Sequence, residues 1–180
     1  NEFQYFDLGG GQYSVTNADK TIHQGVEAAF GWAPVKGLFT TGSAEDKLWI
    51  NTAYTFSDFR FDGDSAWGDN ELPGAPRHFL RAELLYKSPL GFYAGPNVEW
   101  VPEAYYVDNA NTQKTEDYAL LGFRAGYDIT ENFSFFIDAR NLTDEKYIAS
   151  ASVAAVATSS SALYEPGIGR SVYAGLRFRW

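Results

Sequence analysis

The 180-residue chain carries a formal net charge of -9, from 14 Lys and Arg against 23 Asp and Glu, which argues against nucleic-acid binding because that needs clustered basic residues. Cysteine is absent, so disulfides, thiolate nucleophiles and Cys-ligated metals are excluded. Aromatic residues reach 17%, yet mean hydropathy is -0.30, and no apolar run approaches the roughly 18 residues of a membrane-spanning helix.

The first residues show no feature of a secretory signal peptide: no basic stretch, no apolar stretch and no small-residue cleavage site. Two interpretations are open. A signal peptide was removed just before Glu2, or a much longer N-terminal portion precedes Asn1. We expect the second.

Alternation of apolar and polar residues with a period of two predicts about eight strands, each near the length of a tilted transmembrane β-strand. The predicted strands cover 2–8, 26–32, 48–57, 80–87, 92–101, 118–127, 133–140 and 172–180. The last is the clearest. Its apolar face carries Val172, Ala174, Leu176, Phe178 and Trp180, and its opposite face carries Tyr173, Gly175, Arg177 and Arg179.

Charged residues of the predicted strands fall on the face opposite the apolar one. They are Glu27, Arg81, Glu83, Glu99, Arg124, Asp138, Arg140, Arg177 and Arg179. Because such side chains are costly when unpaired in lipid, we expect them to face inward and to pair across strands. Pro96 weakens the prediction for 92–101, since proline donates no hydrogen bond to a sheet.

A soluble β-sandwich would alternate in the same way, but two further features favour a membrane barrel. Aromatic residues cluster near strand ends, as in the girdles at membrane interfaces. Connections alternate between short ones at 87–91 and 128–132 and long ones at 9–22, 58–77, 102–116 and 143–169, which is the pattern of periplasmic turns and external loops. The link 33–46 is long for a periplasmic turn and does not fit this pattern.

Two C-terminal segments resemble TonB-dependent outer-membrane receptors: 140–147, RNLTDEKY, and 165–180, EPGIGRSVYAGLRFRW. Upstream, 20–27 and 72–78 also resemble segments of these receptors, in the right order. The resemblance implies an all-β, antiparallel transmembrane β-barrel of which residues 1–180 are the C-terminal segment. The family's barrel has about 22 strands, and its plug domain and TonB box would be absent here.

The resemblance also implies a function: active import of a scarce nutrient across the cell outer membrane, without enzymatic activity or a cofactor. Ferric siderophore is the default cargo, and pyrroloquinoline quinone or a corrinoid are alternatives. The implied partners are outer-membrane lipid and lipopolysaccharide, the barrel assembly machinery, small-molecule cargo, and TonB through the missing N-terminal part. By the same resemblance, Tyr173, Leu176, Phe178 and Trp180 form the barrel insertion signal, although most such signals end in Phe.

Aromatic and polar residues of the long loops are our candidates for cargo binding, because pockets combine aromatic faces with a few polar groups. They are Trp67, Tyr105, Tyr106, Asp108 and Asn109. The alternative is that these aromatic residues pack against each other or against lipopolysaccharide.

Metal binding and histidine chemistry are weaker hypotheses. Asp62, Asp64 and Asp69, with Glu71 nearby, offer oxygen ligands for Ca²⁺, but their spacing does not match an EF-hand, and a solvated acidic loop is favoured. His23 and His78 are the only histidines. Structural hydrogen bonding is favoured over cargo contact or titration for both.

Two rival functions belong to other classes. A self-contained eight-stranded barrel with a structural or adhesive role would require 170–180 to pair with 2–8. An outer-membrane lipid hydrolase or protease would need a nucleophile beside a base, and two histidines without a recognisable motif make that hypothesis poor.

Overall fold

The computed structural model describes residues 3–9, 12–17, 20–40 and 44–180, and within them the regular structure is β-strand. Its strands are β1 (Phe3–Gly9), β2 (Gln12–Asn17), β3 (Thr21–Lys36), β4 (Lys47–Phe61), β5 (His78–Lys87), β6 (Phe92–Val101), β7 (Tyr118–Asp128), β8 (Phe133–Arg140), β9 (Ile148–Ala151), β10 (Tyr164–Pro166) and β11 (Ser171–Phe178). Among the described residues, none belongs to a helix long and apolar enough to cross a membrane.

Seven strands form one antiparallel sheet in the order β11-β8-β7-β6-β5-β4-β3. The seven predicted strands from 26–32 onward are therefore confirmed as β3 to β8 and β11, and β3 and β4 are longer than expected. Strands β1 and β2 form a separate hairpin, and so do β9 and β10 within the last long loop. The short β2, β9 and β10 were not predicted.

The first strand does not close the sheet. In the described residues β1 pairs with β2, while β11 pairs with β8. The pairing of 170–180 with 2–8 that the alternative of a self-contained eight-stranded barrel requires is not found among the described residues. Glu2 lies outside the described residues.

The register of the ladders keeps one face apolar and the other polar across all seven strands. Directly opposite residues share a face, and Val98 lies opposite both Ala82 and Leu121. On the edge strand β11, Val172, Leu176 and Phe178 are 70%, 74% and 64% exposed. A continuous apolar face without a protein partner suits lipid and not water.

Glycines on the polar face accommodate bulky side chains from neighbouring strands. The ring of Tyr93 lies over Gly126, and that of Phe136 lies over Gly175, so close that a Cβ atom at either glycine would collide with the ring. At these two positions, glycine opposite an aromatic residue therefore allows the ring to pack across the neighbouring strand.

Pro96 lies within a central strand, and the sheet adapts to it. The β5–β6 ladder is interrupted between the pairs Glu83–Asn97 and Tyr86–Ala94, whereas on the other side Pro96 is paired with Phe123 of β7. The gap falls where proline lacks an N–H. The predicted strand 92–101 is confirmed despite its proline.

In the described parts of the link between β3 and β4, residues 37–40 and 44–46, several hydrogen bonds meet at buried Asp46. One carboxylate oxygen accepts hydrogen bonds from the Phe39 N–H at 2.9 Å and the Tyr86 hydroxyl at 2.8 Å, and the Asp46 N–H donates to Thr40 Oγ1 at 2.9 Å. Burial alone would raise the pKa of Asp46, but the hydrogen bonds from Tyr86 and the backbone outweigh it and lower that pKa.

Buried apolar side chains of the described part lie mostly at the opposite, long-loop end. They are Phe61, Leu85, Val101, Tyr105, Val107 and Ala157. Phe61 and Val101 end their strands, and Val107 and Ala157 belong to two different loops. The dry core of this chain is thus made by its loops, above a sheet whose two faces remain open.

Because one face of β7 is apolar and the other is polar, a charged substitution in the middle of this strand should lower folding stability much more on the apolar face. Phe123→Arg places a cation on the apolar face and should cost about 2–4 kcal/mol of folding stability in a bilayer. Leu120→Arg, on the polar face of the same strand, should cost much less. Urea titration of both variants of the full receptor in lipid vesicles measures the difference, and equal losses would contradict the assignment of the faces.

Candidate functional site

The polar face of the sheet encloses a cavity of about 580 Å³. Strands β5 to β8 and β11 form its wall, and the last long loop contributes Asn141, Tyr147 and Ile168. Its charged and aromatic lining consists of Arg81, Glu83, Glu99, Arg124, Asp138, Arg140, Tyr147 and Tyr173. The period-two alternation had assigned the strand residues of this set to the inward face, and that prediction is confirmed.

Ion pairs organise this wall. Arg81 binds one oxygen of Glu99 through Nε at 3.0 Å and Nη2 at 2.8 Å, and the two residues lie directly opposite each other on β5 and β6. Arg124 reaches across β6 to Glu83 at 3.2 Å. The expected pairing across strands is confirmed for these two pairs.

The third ion pair of the cavity differs from the expectation. Arg124 lies directly opposite Asp138, but Asp138 pairs at 3.1 Å with Arg140, two residues along its own strand. The guanidinium of Arg140 also stacks on the ring of Tyr173, 4.9 Å from its centroid. The sequence pattern specified the face of these groups but not the rotamers that select their partners.

Exposure shows which partner of each pair faces the cavity. The arginine side chains of the three pairs are 64%, 46% and 63% exposed, whereas their carboxylate partners are 29%, 17% and 16% exposed. The acids therefore lie against the wall and the guanidinium groups border the open space. Each pair contributes only about 0–1 kcal/mol to folding because it is partly solvated, so its main effect is to present fixed cations to the cavity.

The two C-terminal motifs meet at the outer edge of the cavity. The amide of Asn141 donates to the carbonyl oxygens of Glu145 at 2.9 Å and Ile168 at 3.2 Å, and its oxygen accepts from the Glu145 N–H at 2.8 Å. Asp144 accepts a hydrogen bond from the Arg170 N–H at 3.1 Å. Segments 140–147 and 165–170 are thus one structural unit that fixes the ends of the last loop above the cavity.

A second cluster ties three long loops together, with Asp108 at its centre. Oδ1 of Asp108 accepts from the backbone N–H groups of Thr112 and Gln113, at 2.8 and 3.1 Å. Oδ2 accepts from the hydroxyl of Thr112 at 2.5 Å and from the N–H of Ala157, in the last loop, at 3.0 Å. Asp108 is fully buried, so its carboxylate serves the loop–loop interface.

The loop that follows β4 joins the same cluster through amide side chains. Asn70 donates to the carbonyl oxygen of Asn109 at 2.8 Å, and Asn111 exchanges two hydrogen bonds with the backbone of Glu71, at 2.8 and 2.9 Å. The Asn111 backbone is left-handed, with φ of 54°, a conformation that asparagine tolerates better than most residues. The three long loops therefore form one layer over the sheet.

In the loop layer, burial and hydrogen bonding act on the pKa of Asp108 in opposite directions. Desolvation alone would raise the pKa of Asp108, but the hydrogen bonds from the Thr112 hydroxyl and from three backbone N–H groups outweigh it, and its pKa is lowered. For Tyr105, which has no such compensating donors, burial raises the pKa. The four hydrogen-bond donors thus stabilise the ionised carboxylate form of Asp108.

The cargo candidates fall in or near this layer, although they do not share one open pocket. Tyr105 is buried, and Tyr106 is half-buried with the Lys114 ammonium 4.2 Å from its ring centroid. Asn109 donates its N–H to the Ala154 carbonyl. The indole nitrogen of Trp67 is buried without a hydrogen-bond partner among the described residues. Tyr105 and Asp108 are buried within the loop layer, and cargo contact by all five residues stays a prediction.

The acidic residues considered as Ca²⁺ ligands each interact with a different partner in the protein. Asp62 forms an ion pair with Lys20, Asp64 accepts from the N–H groups of Ala66 and Trp67, and Asp69 accepts from the N–H of Gly63. In the ranges that the structure describes, no three Asp, Glu or His residues converge as a metal site. These acids mainly close the turn that follows β4.

The two histidines lie near the outer ends of their strands. His78 shares a 2.7 Å hydrogen bond with the Tyr54 hydroxyl, and its ring also packs against Phe56. The ring of His23 lies 5.0 Å from that of Phe59. Both environments agree with the structural role favoured from the sequence.

Comparison with known proteins identifies the class. The profile of the family described as "TonB dependent receptor-like, beta-barrel" matches residues 1–142, and the chain belongs to this family. The barrels of this family are outer-membrane proteins and the family is one of transporters and receptors, not of enzymes. The antiparallel all-β sheet and the family resemblance seen in the sequence are therefore both confirmed.

Among solved structures, the chain is similar to the ferric yersiniabactin uptake receptor FyuA from Yersinia pestis. The two share 21% sequence identity with a TM-score of 0.66, and the alignment covers 92% of this chain and 24% of that chain. At this identity the likeness shows the fold. The chain spans about a quarter of the length of the FyuA chain.

Replacing Asp108 tests its part in the loop layer. Asp108→Ala removes the acceptor of four hydrogen bonds and leaves buried donors unsatisfied, which should favour local opening by on the order of 3 kcal/mol. Limited proteolysis of the full receptor should then cleave loop 102–117 at least tenfold faster. Asp117→Ala, an exposed acid of the same loop, is the matched control, and equal cleavage of both variants would contradict the role of Asp108.

The lowered pKa of Asp108 also predicts how the loop layer responds to acid. A carboxylate whose folded pKa lies below the ordinary 3.8 contributes its full stabilisation above pH 3.8 and loses it as the pH falls through the lowered folded value. Pepsin digestion from pH 5 downward should therefore find loop 102–117 protected until below pH 3.8. Asp108→Asn, which cannot titrate, should be open throughout, and opening of the parent above pH 4.5 would contradict the assignment.

Proposed function

We propose that the protein containing this chain is an outer-membrane active-transport receptor that binds a scarce nutrient outside the cell and imports it with energy supplied by TonB. Membership of the TonB-dependent receptor-like barrel family carries the proposal. The lipid-compatible outer face and the loop layer over a polar cavity support it, because a receptor needs a wall in the bilayer and a concave binding surface.

The cargo that this cavity favours is anionic and chelating, as ferric siderophores commonly are. Arg81, Arg124 and Arg140 border the cavity with exposed guanidinium groups, while their carboxylate partners lie against the wall. Arginine binds carboxylate and similar oxygen anions with charge-assisted hydrogen bonds. Tyr147 and Tyr173 line the same cavity and supply aromatic surface for a conjugated ligand.

The similarity to a ferric yersiniabactin uptake receptor supports ferric siderophore as the cargo class. In the proposed receptor, the missing N-terminal part includes the plug and the segment that contacts TonB, and residues 1–180 form the C-terminal barrel segment. Lipopolysaccharide and the barrel assembly machinery are proposed partners, with Leu176, Phe178 and Trp180 on the outer face of the closing strand as the recognised signal.

Uptake of radiolabelled iron tests the proposal. The full gene is expressed in a bacterial strain that lacks its own siderophore receptors, with and without functional TonB, and supplied with a panel of ferric siderophores. We expect TonB-dependent accumulation with at least one of them, and Arg124→Gln together with Arg140→Gln should raise the half-saturating concentration at least tenfold. Lys146→Gln is the control. Surface expression without TonB-dependent accumulation of any cargo in the panel would overturn iron import.

A further inference from the structure

The connection between β3 and β4 differs from the other connections at the same end of the sheet. It covers 37–46, whereas β5 is joined to β6 by 88–91 and β7 to β8 by 129–132. We call this end of the sheet the short-turn end. A link of about two to five residues is enough to join two antiparallel strands. The additional residues of the β3–β4 link are therefore not needed to form the sheet.

Part of this link lies against the outer, apolar face of the sheet. Tyr86 belongs to that face, because it lies directly opposite Leu48 and Ala94 and alternates with the cavity residues of β5. The Phe39 ring packs edge-on against the Tyr86 ring, with 5.7 Å between the centroids. The Phe39 N–H and the Tyr86 hydroxyl also donate to the same carboxylate oxygen of Asp46, at 2.9 and 2.8 Å. Both the ring and the backbone of Phe39 are therefore held beside an outward-facing residue.

Phe39 extends a row of aromatic rings along the outer face. The Tyr86 ring lies 5.6 Å from that of Phe92 on the next strand, and Phe92 is directly opposite Tyr127. The Tyr127 ring in turn lies 6.4 Å from that of Phe135. Aromatic rows of this kind mark the boundary between hydrocarbon and headgroups in membrane barrels. Here the row runs from β8 to a residue that lies outside the strands.

The protein leaves the apolar side chains of this link largely uncovered. Leu38 is 53% exposed and Phe39 is 76% exposed, so the contact with Tyr86 covers only a small part of the Phe39 side chain. We call Leu38 and Phe39 the apolar pair. Exposure of such side chains to water is unfavourable, and their transfer into an apolar environment is favourable. The surface beside them is the outer face of a sheet from a family of outer-membrane barrels.

The polar groups of the link also suit a position at the edge of the hydrocarbon. A backbone N–H without a partner is costly there, and the Gly37 N–H donates to the carbonyl oxygen of Asp46 at 2.9 Å, while the Phe39 N–H donates to its carboxylate. Asp46 itself is fully buried. The described part of the link therefore presents apolar side chains, and not this charge, to its surroundings.

We propose that the apolar pair inserts into the periplasmic leaflet of the outer membrane and anchors the β3–β4 link among phospholipid acyl chains. Phospholipid is the occupant because the Phe39 ring contacts the outer face and continues its aromatic row, so the surface is continuous with the part of the sheet that suits lipid. The inference rests on the proposed function only for the orientation of the sheet, with its short-turn end toward the periplasm, and not for cargo or TonB.

Photo-crosslinking in intact cells tests the proposal directly. Phe39 of the full receptor is replaced with p-benzoylphenylalanine, whose excited carbonyl group forms a covalent bond at a neighbouring C–H group, and mass spectrometry identifies the adduct. We expect phospholipid adducts, in amounts comparable with those from Phe135 on the outer face of β8. Glu131, in the exposed turn after β7, is the matched control and should give at least about tenfold fewer, because a charged turn residue lies in water.

The identity of the adduct distinguishes the possible occupants. Adducts with protein alone would show that the apolar pair docks a polypeptide, and adducts with lipopolysaccharide would place it in the outer leaflet. Either result overturns the proposal. It is also overturned if Phe39 gives no adduct while Phe135 gives phospholipid adducts.

A spin label provides a second readout that keeps Phe39 in place. Leu38→Cys is labelled in the full receptor, after any other cysteines are replaced, and the protein is reconstituted in phospholipid vesicles. We expect the ratio of oxygen accessibility to nickel-chelate accessibility to be at least about tenfold higher than for a label at Glu131→Cys, because oxygen concentrates in hydrocarbon and the chelate in water. A label at Leu38 that matches Glu131, or that is shielded from both reagents, contradicts insertion.

Two further variants separate insertion from packing on Tyr86. In the labelled Leu38→Cys background, Phe39→Ser should lower the accessibility ratio at least about threefold because the polar side chain disfavours the hydrocarbon. Phe39→Leu loses the ring contact but stays apolar, so the ratio should be retained. Equal losses in both variants would show that only the aromatic contact matters and would overturn the proposal.

These readouts are made without cargo and without TonB, so their outcome is separate from that of iron uptake. A receptor that imports no siderophore can still insert the apolar pair, and an active importer can lack this anchor.

Discussion

Backbone hydrogen bonding from strand to strand is the constraint on which this structure depends. Inside a bilayer each unpaired N–H or C=O costs several kcal/mol, so the strands must remain in continuous register. Six antiparallel ladders join β3 to β11 and keep the same face apolar throughout. The cavity and the position of the loops follow from that register, because the residues of each are aligned across neighbouring strands.

The sheet and the loops are stabilised by different means. The outer face is apolar and suits lipid contact, and the inner face is open, charged and partly solvated, so its ion pairs are individually weak. Dry packing occurs instead in the loop layer, where Val107 and Asp108 are fully buried. A binding surface assembled in this way combines a rigid wall with loops that are fixed by a few buried polar contacts, and those contacts are the places where a conformational change would be controlled.

The sequence predicted the strands and their faces because those depend on local alternation. Residues 118–127 and 133–140 alternate so regularly that β8 has the predicted bounds and β7 is only one residue longer than predicted. The inward position of Arg81, Glu83 and Arg124 followed from the same period. Tyr173 was grouped with Leu176 and Phe178 by family resemblance, but the period placed it on the inner face, where the structure has it.

The long-range contacts of the loops could not be predicted from the local sequence pattern. The sequence placed Asp108 in a long loop, but it did not show that its carboxylate accepts a hydrogen bond from the N–H of Ala157, 49 residues away. The hydrogen bond between the Tyr86 hydroxyl and the carboxylate of Asp46 likewise joins residues that are 40 positions apart. The partner choice of Asp138 and the β1–β2 hairpin depend likewise on rotamers and on competing pairings. No period in the sequence encodes these choices.

The central claim, that one continuous sheet divides lipid from a polar interior, is tested most directly by spin labels along β7. The chain has no cysteine, so single cysteines at each position from 119 to 126 can be labelled in the full receptor after any cysteines elsewhere are replaced. In vesicles, we predict high oxygen accessibility at 119, 121, 123 and 125, and high accessibility to a water-soluble nickel chelate at 120, 122, 124 and 126. Uniform accessibility without a period of two would contradict the account.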